Sequence, residues 1–297
     1  MPASYRGRER RAADRVERAA SERRATRVTL PLHGRERRAS PFGAGSRSPA
    51  GRRAEISDKK AILVIGAGDA TGGAIARRFA REGYIACMTR RSADKLRPLV
   101  GEIEAAGGQA HGFGSDARKE EEVIALFEKI ERQIAPIEVA VFNIGANVRF
   151  GITETTARVY FKVWEMACFG GFLMGREAAK AMLPRGRGTI IFTGATASLR
   201  GREGFAAFAG AKHALRALAQ SMARELGPKG IHVAHPVIDG AIDTEFIRSN
   251  FPERYAMKEQ GGIVDPDHIA DTYWMLHNQP RDAWTHELEL RPWVESW

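Results

Sequence analysis

Residues 61–76, AILVIGAGDATGGAIA, constrain this chain more than any other stretch. Ala61 to Ile65 is a short apolar run bounded by turn residues, the pattern of a parallel strand covered on both faces. Gly66-Ala67-Gly68-Asp69-Ala70-Thr71-Gly72-Gly73 has too little side chain to fill space, so the main chain itself can approach a ligand. From Ala74 a helix begins, and the unpaired N–H groups of a helix start favour an anion. Strand, glycine turn and helix in that order suit a pyrophosphate. A glycine run alone also marks ordinary tight turns, and the flanking elements are what separate the two readings.

The 297 residues contain no apolar run near the roughly 18 that a membrane helix needs. Cys87 and Cys168 have no metal-ligand spacing and read as reduced core residues of an intracellular, cytoplasmic protein. The formal charge of +10 suggests nucleic acid until it is located along the chain. Residues 1–56 hold 15 arginines, no lysine and six acids, a surplus of nine that leaves the body nearly neutral. With no sustained apolar pattern, this leader is expected to be disordered. Three readings fit it: an organelle-targeting peptide, against which the six acids count, a basic arm for nucleic acid or anionic lipid, or an extension reflecting base composition. Apart from that leader, nothing points to nucleic acid.

From Ser57 the pattern alternates between strand and helix. Strands are predicted at Tyr84–Thr89, Ala110–Ser115, Ile137–Asn143, Gly188–Thr193 and Ile231–Ile238. Helices are predicted at Ala93–Ala106, Lys119–Ile134, Thr155–Met182 and Phe205–Gly227. Strands alternating with long helices imply an α/β fold, a doubly wound, Rossmann-like parallel sheet with helices on both faces. One domain over residues 57–297 accommodates it.

In such a sheet the second strand ends beside the adenosine ribose, where an acid reads a free 2′-hydroxyl and arginine suits a 2′-phosphate. Thr89-Arg90-Arg91 ends this one, with no acid before Asp94, which favours NADP(H). The plain alternative is a pair of solvated arginines in a surface turn. Asp116, after the third strand, is placed either to meet the adenine or to cap a turn.

Several motifs in order, spanning about Lys60 to Arg291, resemble the short-chain dehydrogenase/reductase family. Ile65 to Gly72 is similar to its glycine motif, with Ala70 in place of the middle glycine. Phe142-Asn143-Ile144-Gly145 resembles its NNAG segment, and Ala211 to Leu218 its catalytic helix. Ile242-Asp243-Thr244 and Asp265 to Ala270 resemble its lid approach and a late helix start. The resemblance implies hydride transfer between NAD(P)H and a carbonyl or alcohol. It implies cofactor contacts from Gly66, Gly68, Ala70, Thr71, Gly72, Asn143 and Gly145, beside Arg90, Arg91 and Asp116. It also implies a homodimer or homotetramer built through the helices of 155–182 and 205–227.

The family's proton donor is a tyrosine, with a lysine four residues on that binds the nicotinamide ribose. A serine holds the substrate oxygen, and an asparagine in the preceding long helix holds a water. Positions i and i+4 share a helix face, which brings lysine and tyrosine to one site. Here Phe208 takes the tyrosine position, Ala195 the serine position and Cys168 the asparagine position, while Lys212 remains. The wider Tyr/Lys spacing of the related enoyl reductases is absent too, with Phe205 and Ala206 at those positions. Thr196, beside Ala195, offers a hydroxyl for a substrate oxygen, and its alternative is a turn role. His232 and His235, three apart on a strand, point to opposite faces and should not share a metal, and no metal is expected. His213 reads as packed or exposed. Asp239-Gly240 replaces the family's Pro-Gly, and residues 246–262 read as a substrate lid. Two functions follow: an NADP(H)-dependent oxidoreductase acting on a small carbonyl or activated alkene with altered proton transfer, or a catalytically silent NADP(H)-binding protein.

Overall fold

The computed structural model describes residues 59–295, so the expectations for residues 1–56 lie outside the described residues. Eight strands appear in chain order: β1 (Ala61–Ile65), β2 (Ile85–Arg90), β3 (Gln109–Gly114), β4 (Ile137–Phe142), β5 (Gly188–Phe192), β6 (Gly194–Ala195), β7 (Ile231–Ile238) and β8 (Glu287–Leu290). All their pairings are parallel, in the order β3-β2-β1-β4-β5-β7. The short β6 and β8 both pair with the C-terminal half of β7. Neither of these two was expected. A two-residue strand and a charged ELEL segment give no apolar run, and only pairing with β7 makes them strands.

The helices are α1 (Thr71–Arg81), α2 (Arg97–Ala105), α3 (Glu120–Gln133), α4 (Ala157–Trp164), α5 (Gly170–Met182), α6 (Ala206–Leu226), α7 (Glu245–Asn250), α8 (Pro252–Tyr255) and α9 (Pro266–His277). Alternate strand residues supply two cores. Leu63, Ile65 and Cys87 pack with Val123, Phe127, Leu173 and Leu215 of α3, α5 and α6. Ile62, Val64 and Met88 pack with Ile75, Phe79, Leu99 and Tyr273 of α1, α2 and α9. Each such buried side chain contributes about 1.5–3 kcal/mol. The strands therefore read as continuous apolar runs because both faces are covered.

Three boundaries differ from expectation for physical reasons. Helix α1 starts at Thr71, inside the glycine run, because Gly72 and Gly73 lack side chains. A Cβ at Gly72 would lie 2.5 Å from the Gly66 carbonyl oxygen, and one at Gly73 would lie 2.3 Å from that of Gly68. The helix expected from Ala93 opens as a 3₁₀ turn over Ala93–Leu96. Pro98 then lies in the first turn of α2, where its missing N–H costs nothing. The long helix starts at Ala157, with the Val159 amide donating to Thr156 Oγ1 at 3.2 Å, and a π-helical turn, Glu165–Phe169, separates α4 from α5. Such turns collect at functional sites.

Strand β8 and α9 surround a set of half-buried and buried histidines. His232 stacks on Trp284 at 4.9 Å and meets the Thr285 carbonyl, whereas His235 meets Glu287. The two thus serve separate partners, and the described residues contain no cluster able to hold a metal. His277 bridges the Tyr84 hydroxyl (2.7 Å) and the Thr189 hydroxyl (2.9 Å). No described helix is long and apolar enough to cross a membrane.

Burial lowers the pKa of His235 and of His277 from 6.5 to about 4. Between those values the unfolded chain binds more protons than the folded one, so stability is complete above about pH 6.5 and declines toward pH 4. Unfolding free energies from urea titrations between pH 7.5 and 4.5 should fall through this window by on the order of a few kcal/mol in total. A flat profile would contradict the buried neutral histidines.

Candidate active site

Strands β1 and β4 are neighbours, but β2 and β3 extend the sheet one way and β5 and β7 the other. At this reversal the loops leaving the two strands part, and open α/β sheets bind ligands in the crevice so formed. A cavity of about 1070 Å³ lies there. The loop after β1 lines it with Gly66, Gly68, Ala70, Thr71 and Gly72, and the loop after β4 with Asn143, Ile144 and Gly145.

The turn after β1 is held closed by contacts that only glycine permits. Gly66 has φ of +93°, and a Cβ there would sit 2.9 Å from the Asn143 carbonyl oxygen. The Asn143 side chain donates from Nδ2 to the Gly66 carbonyl oxygen at 3.1 Å. Its amide donates to the Ile65 carbonyl oxygen at 2.8 Å. Asn143 thus clamps the glycine turn to the end of β4. Gly68 differs, because nothing lies within 4 Å of the Cβ it lacks. That gap leaves main chain facing the cavity. The N-cap of α1 is Ala70, which provides no side-chain acceptor for the first N–H groups of the helix. Open main chain and an uncapped helix start fit the diphosphate of a dinucleotide. Gly145 is likewise unobstructed.

Lys212 approaches from α6. It is 3 % exposed, and Nζ donates to the Thr193 carbonyl oxygen at 2.8 Å and the Ile144 carbonyl oxygen at 3.2 Å. Two carbonyls at the ends of β5 and β4 therefore aim the ammonium group, leaving one proton for a ligand. Burial pulls the Lys212 pKa down to about 8, so the group is still mainly charged at neutral pH. Phe208, one turn earlier, is buried, lines the cavity and lies with its ring centroid 5.9 Å from Nζ. Cys168, in the π-helical turn, packs with Phe208 and Val163, and burial raises its thiol pKa.

Thr196 lines the cavity, but its hydroxyl is already engaged. Oγ1 donates to Asp239 Oδ1 at 2.5 Å, leaving only acceptor lone pairs for a ligand. A substrate carbonyl needs a donor, so the expected hold on such an oxygen is not available in this arrangement. Asp239 is 1 % exposed and also pairs with Arg200 (3.0 Å) and Arg291 (2.7 Å). Burial works against its charge, yet the Thr196 and Arg291 hydrogen bonds and both guanidinium charges outweigh it and lower the carboxyl pKa. Ala195 carries no hydroxyl, and its amide meets Ser198 Oγ, which is itself fully buried.

The remaining expected residues divide. Arg90 and Arg91, at the end of β2, do not line the cavity, and neither has a side-chain partner among the described residues. Asp116 does not line it either. Its carboxylate takes the Arg118 guanidinium at 2.6 and 2.8 Å and the Arg118 amide, which marks a turn residue. Arg118 pulls the carboxyl pKa down to about 2. His213 is exposed and bonds the Ala209 carbonyl one turn back. From the expected lid, Phe246, Ile247 and Phe251 reach the cavity, and Thr244 caps α7 by accepting from the Ile247 amide.

Arg200, Arg202 and Asn147 also line the cavity, as does Glu295, which pairs with Arg254. Sequence reasoning passed over all of them. The one signal was Asp239 itself, since a carboxylate inside the apolar run after β7 requires a cation somewhere. Spacing does not identify Arg200 or Arg291 as that cation.

The short chain dehydrogenase family profile matches residues 60–254. A short-chain dehydrogenase/reductase of Armillaria gallica is 31% identical over 181 residues, which is 60% of this chain and 69% of that one. A crystal structure of a short-chain dehydrogenase from Rhodopseudomonas palustris is 52% identical with a TM-score of 0.69, covering 79% of this chain and 99% of that chain. A metagenomic short-chain oxidoreductase solved in complex with NADP is 25% identical with a TM-score of 0.68, covering 81% and 99%. With the glycine turn, the parallel sheet and the lysine of α6 in their places, the chain belongs to the short-chain dehydrogenase family of oxidoreductases.

Proposed function

We propose that this protein is an NADP(H)-dependent oxidoreductase acting on a small carbonyl or activated alkene, with Phe208 at the position the family gives to its tyrosine. The observation that carries this reading is one cavity at the sheet reversal that joins an open glycine turn, an uncapped helix start and the buried ammonium of Lys212. When bound, the nicotinamide supplies or accepts a hydride. Lys212 would hold ribose hydroxyls through its third proton, and the first N–H groups of α1, at Thr71 and Gly72, would hold the diphosphate. Arg90 and Arg91, uncommitted among the described residues, suit a 2′-phosphate, and the NADP in the metagenomic relative agrees with that choice.

Proton transfer is where this chain differs. The phenyl ring of Phe208 has no proton to give, and the Thr196 proton is directed at Asp239. The proton for a reduced substrate then comes from water, which forgoes the roughly hundred- to ten-thousand-fold that a positioned acid contributes. The same two features favour a second reading, a catalytically silent NADP(H)-binding protein. We also propose self-association through α4, α5 and α6. Phe161, Trp164, Phe169 and Phe172 form a stacked row along α4 and α5, of which Phe161 and Phe172 are exposed.

NADPH should bind at least ten-fold more tightly than NADH in a fluorescence titration, and be oxidised by some member of a panel of carbonyls and activated alkenes. Tight binding without turnover on any of them would leave the silent reading standing. Phe208→Tyr should raise carbonyl reduction by about ten-fold or more, since it restores an acidic hydroxyl beside Lys212; an unchanged rate would show that the pocket has diverged in other ways. Light scattering should return a dimer or tetramer mass, and Phe161→Glu should shift it toward the monomer.

A further inference from the structure

Beyond the cofactor seat, the cavity has an end rich in N–H donors. Arg200 and Arg202, from the loop before α6, and Asn147, from the loop after β4, all line it. Arg202 and Asn147 have no side-chain partner among the described residues. Arg200 uses a single nitrogen, Nη2, to reach both Asp239 oxygens at 3.0 and 3.3 Å. Its Nε and Nη1 groups remain without a recorded partner there.

Asp239 cannot satisfy these donors. Its two oxygens already take Thr196, Arg200 and Arg291, and the carboxylate is buried. The other acid at this end, Glu295, pairs with Arg254. Acceptors are thus consumed within the wall while guanidinium and amide donors are left over. Asp239 also restrains Arg200, whose side chain is otherwise 43 % exposed, so part of the ordering cost is met before a ligand arrives. Planar guanidinium groups match the two oxygens of a carboxylate. Phe205, Phe246 and Phe251 line the same cavity and offer apolar surface.

We infer that the substrate of this cavity is a small organic acid, whose carboxylate is held by Arg202 and the Asp239-oriented Arg200 and whose apolar body packs on the phenyl rings. This rests on the oxidoreductase reading of the same cavity, and it assigns Asp239 as a positioning residue. At this end the lining holds the three guanidinium groups of Arg200, Arg202 and Arg254 against the two acids Asp239 and Glu295. A monoanionic ligand restores the balance.

The test uses the full chain, with and without saturating NADP⁺, and reads binding by calorimetry with 3-phenylpropanoate and its methyl ester as probes. The acid should bind at least ten-fold more tightly than the ester, the size expected for a charge-assisted hydrogen bond. Arg202→Gln, an exposed site with no contact to lose, should bring the ratio below about three-fold, and Arg202→Lys should recover part of it. In the kinetic arm, a 2-oxo acid should show a lower KM than its ester, with a smaller difference in kcat. Equal binding of acid and ester, or a preference that survives Arg202→Gln, would overturn the inference. Neither result touches NADPH affinity, which is titrated separately on the same samples and by itself decides the cofactor reading.

Discussion

The site depends on one clamp, the hydrogen bond from Asn143 Nδ2 to the carbonyl oxygen of Gly66. It ties the turn after β1 to the end of β4, the two strands between which the sheet reverses direction. Because Asn143 and the Gly66 turn press together, Gly66 and Gly72 have no room for a Cβ. That closeness lets α1 begin directly beneath the turn and present its first N–H groups at the crevice. The same loop after β4 supplies the Ile144 carbonyl that helps to aim Lys212. The adjacent residues Asn143 and Ile144 therefore serve both the glycine turn and the placement of the buried Lys212 ammonium.

A second network joins the far end of the cavity to the C-terminal segment. Asp239 lies just after β7 and gathers Thr196 and Arg200 from one segment and Arg291 from another. Arg291 is the better buried of the two cations, so leaving the Asp239 carboxylate without it costs more than losing the half-exposed Arg200. Arg291 directly follows β8, and β8 pairs with β7 beside Asp239. The final strand thus carries its cation to the site by sheet pairing, in register with the strand whose carboxylate requires it. Structure and chemistry share one set of contacts here, so altering Asp239 affects both.

Around Phe208, α6 packs on α4 and the π-helical turn through apolar side chains. Phe208 and Cys168 pack in one apolar cluster with Val163 and Ala207. Together these side chains form an apolar patch. Lys212 sits beside this patch and keeps its two main-chain contacts, because these come from carbonyls and do not depend on which side chain occupies the neighbouring turn.

The sequence by itself determined what depends on near neighbours. Apolar runs covered on both faces, a glycine turn before a helix and the i, i+4 placement of Phe208 and Lys212 are local patterns, and each appears in the sheet, the turn and α6. The end of β2 at Arg90 was legible for the same reason. Tertiary structure alone decided which polar groups remain available. The Thr196 hydroxyl reads as available until Asp239, 43 residues later, accepts its hydrogen bond, and Asp116, legible as either an adenine contact or a turn cap, is paired by Arg118. Strand β8 exists only because β7 pairs with it. Secondary structure follows from periodicity over a few residues, but a donor is free or occupied according to what the fold brings within about 3 Å of it.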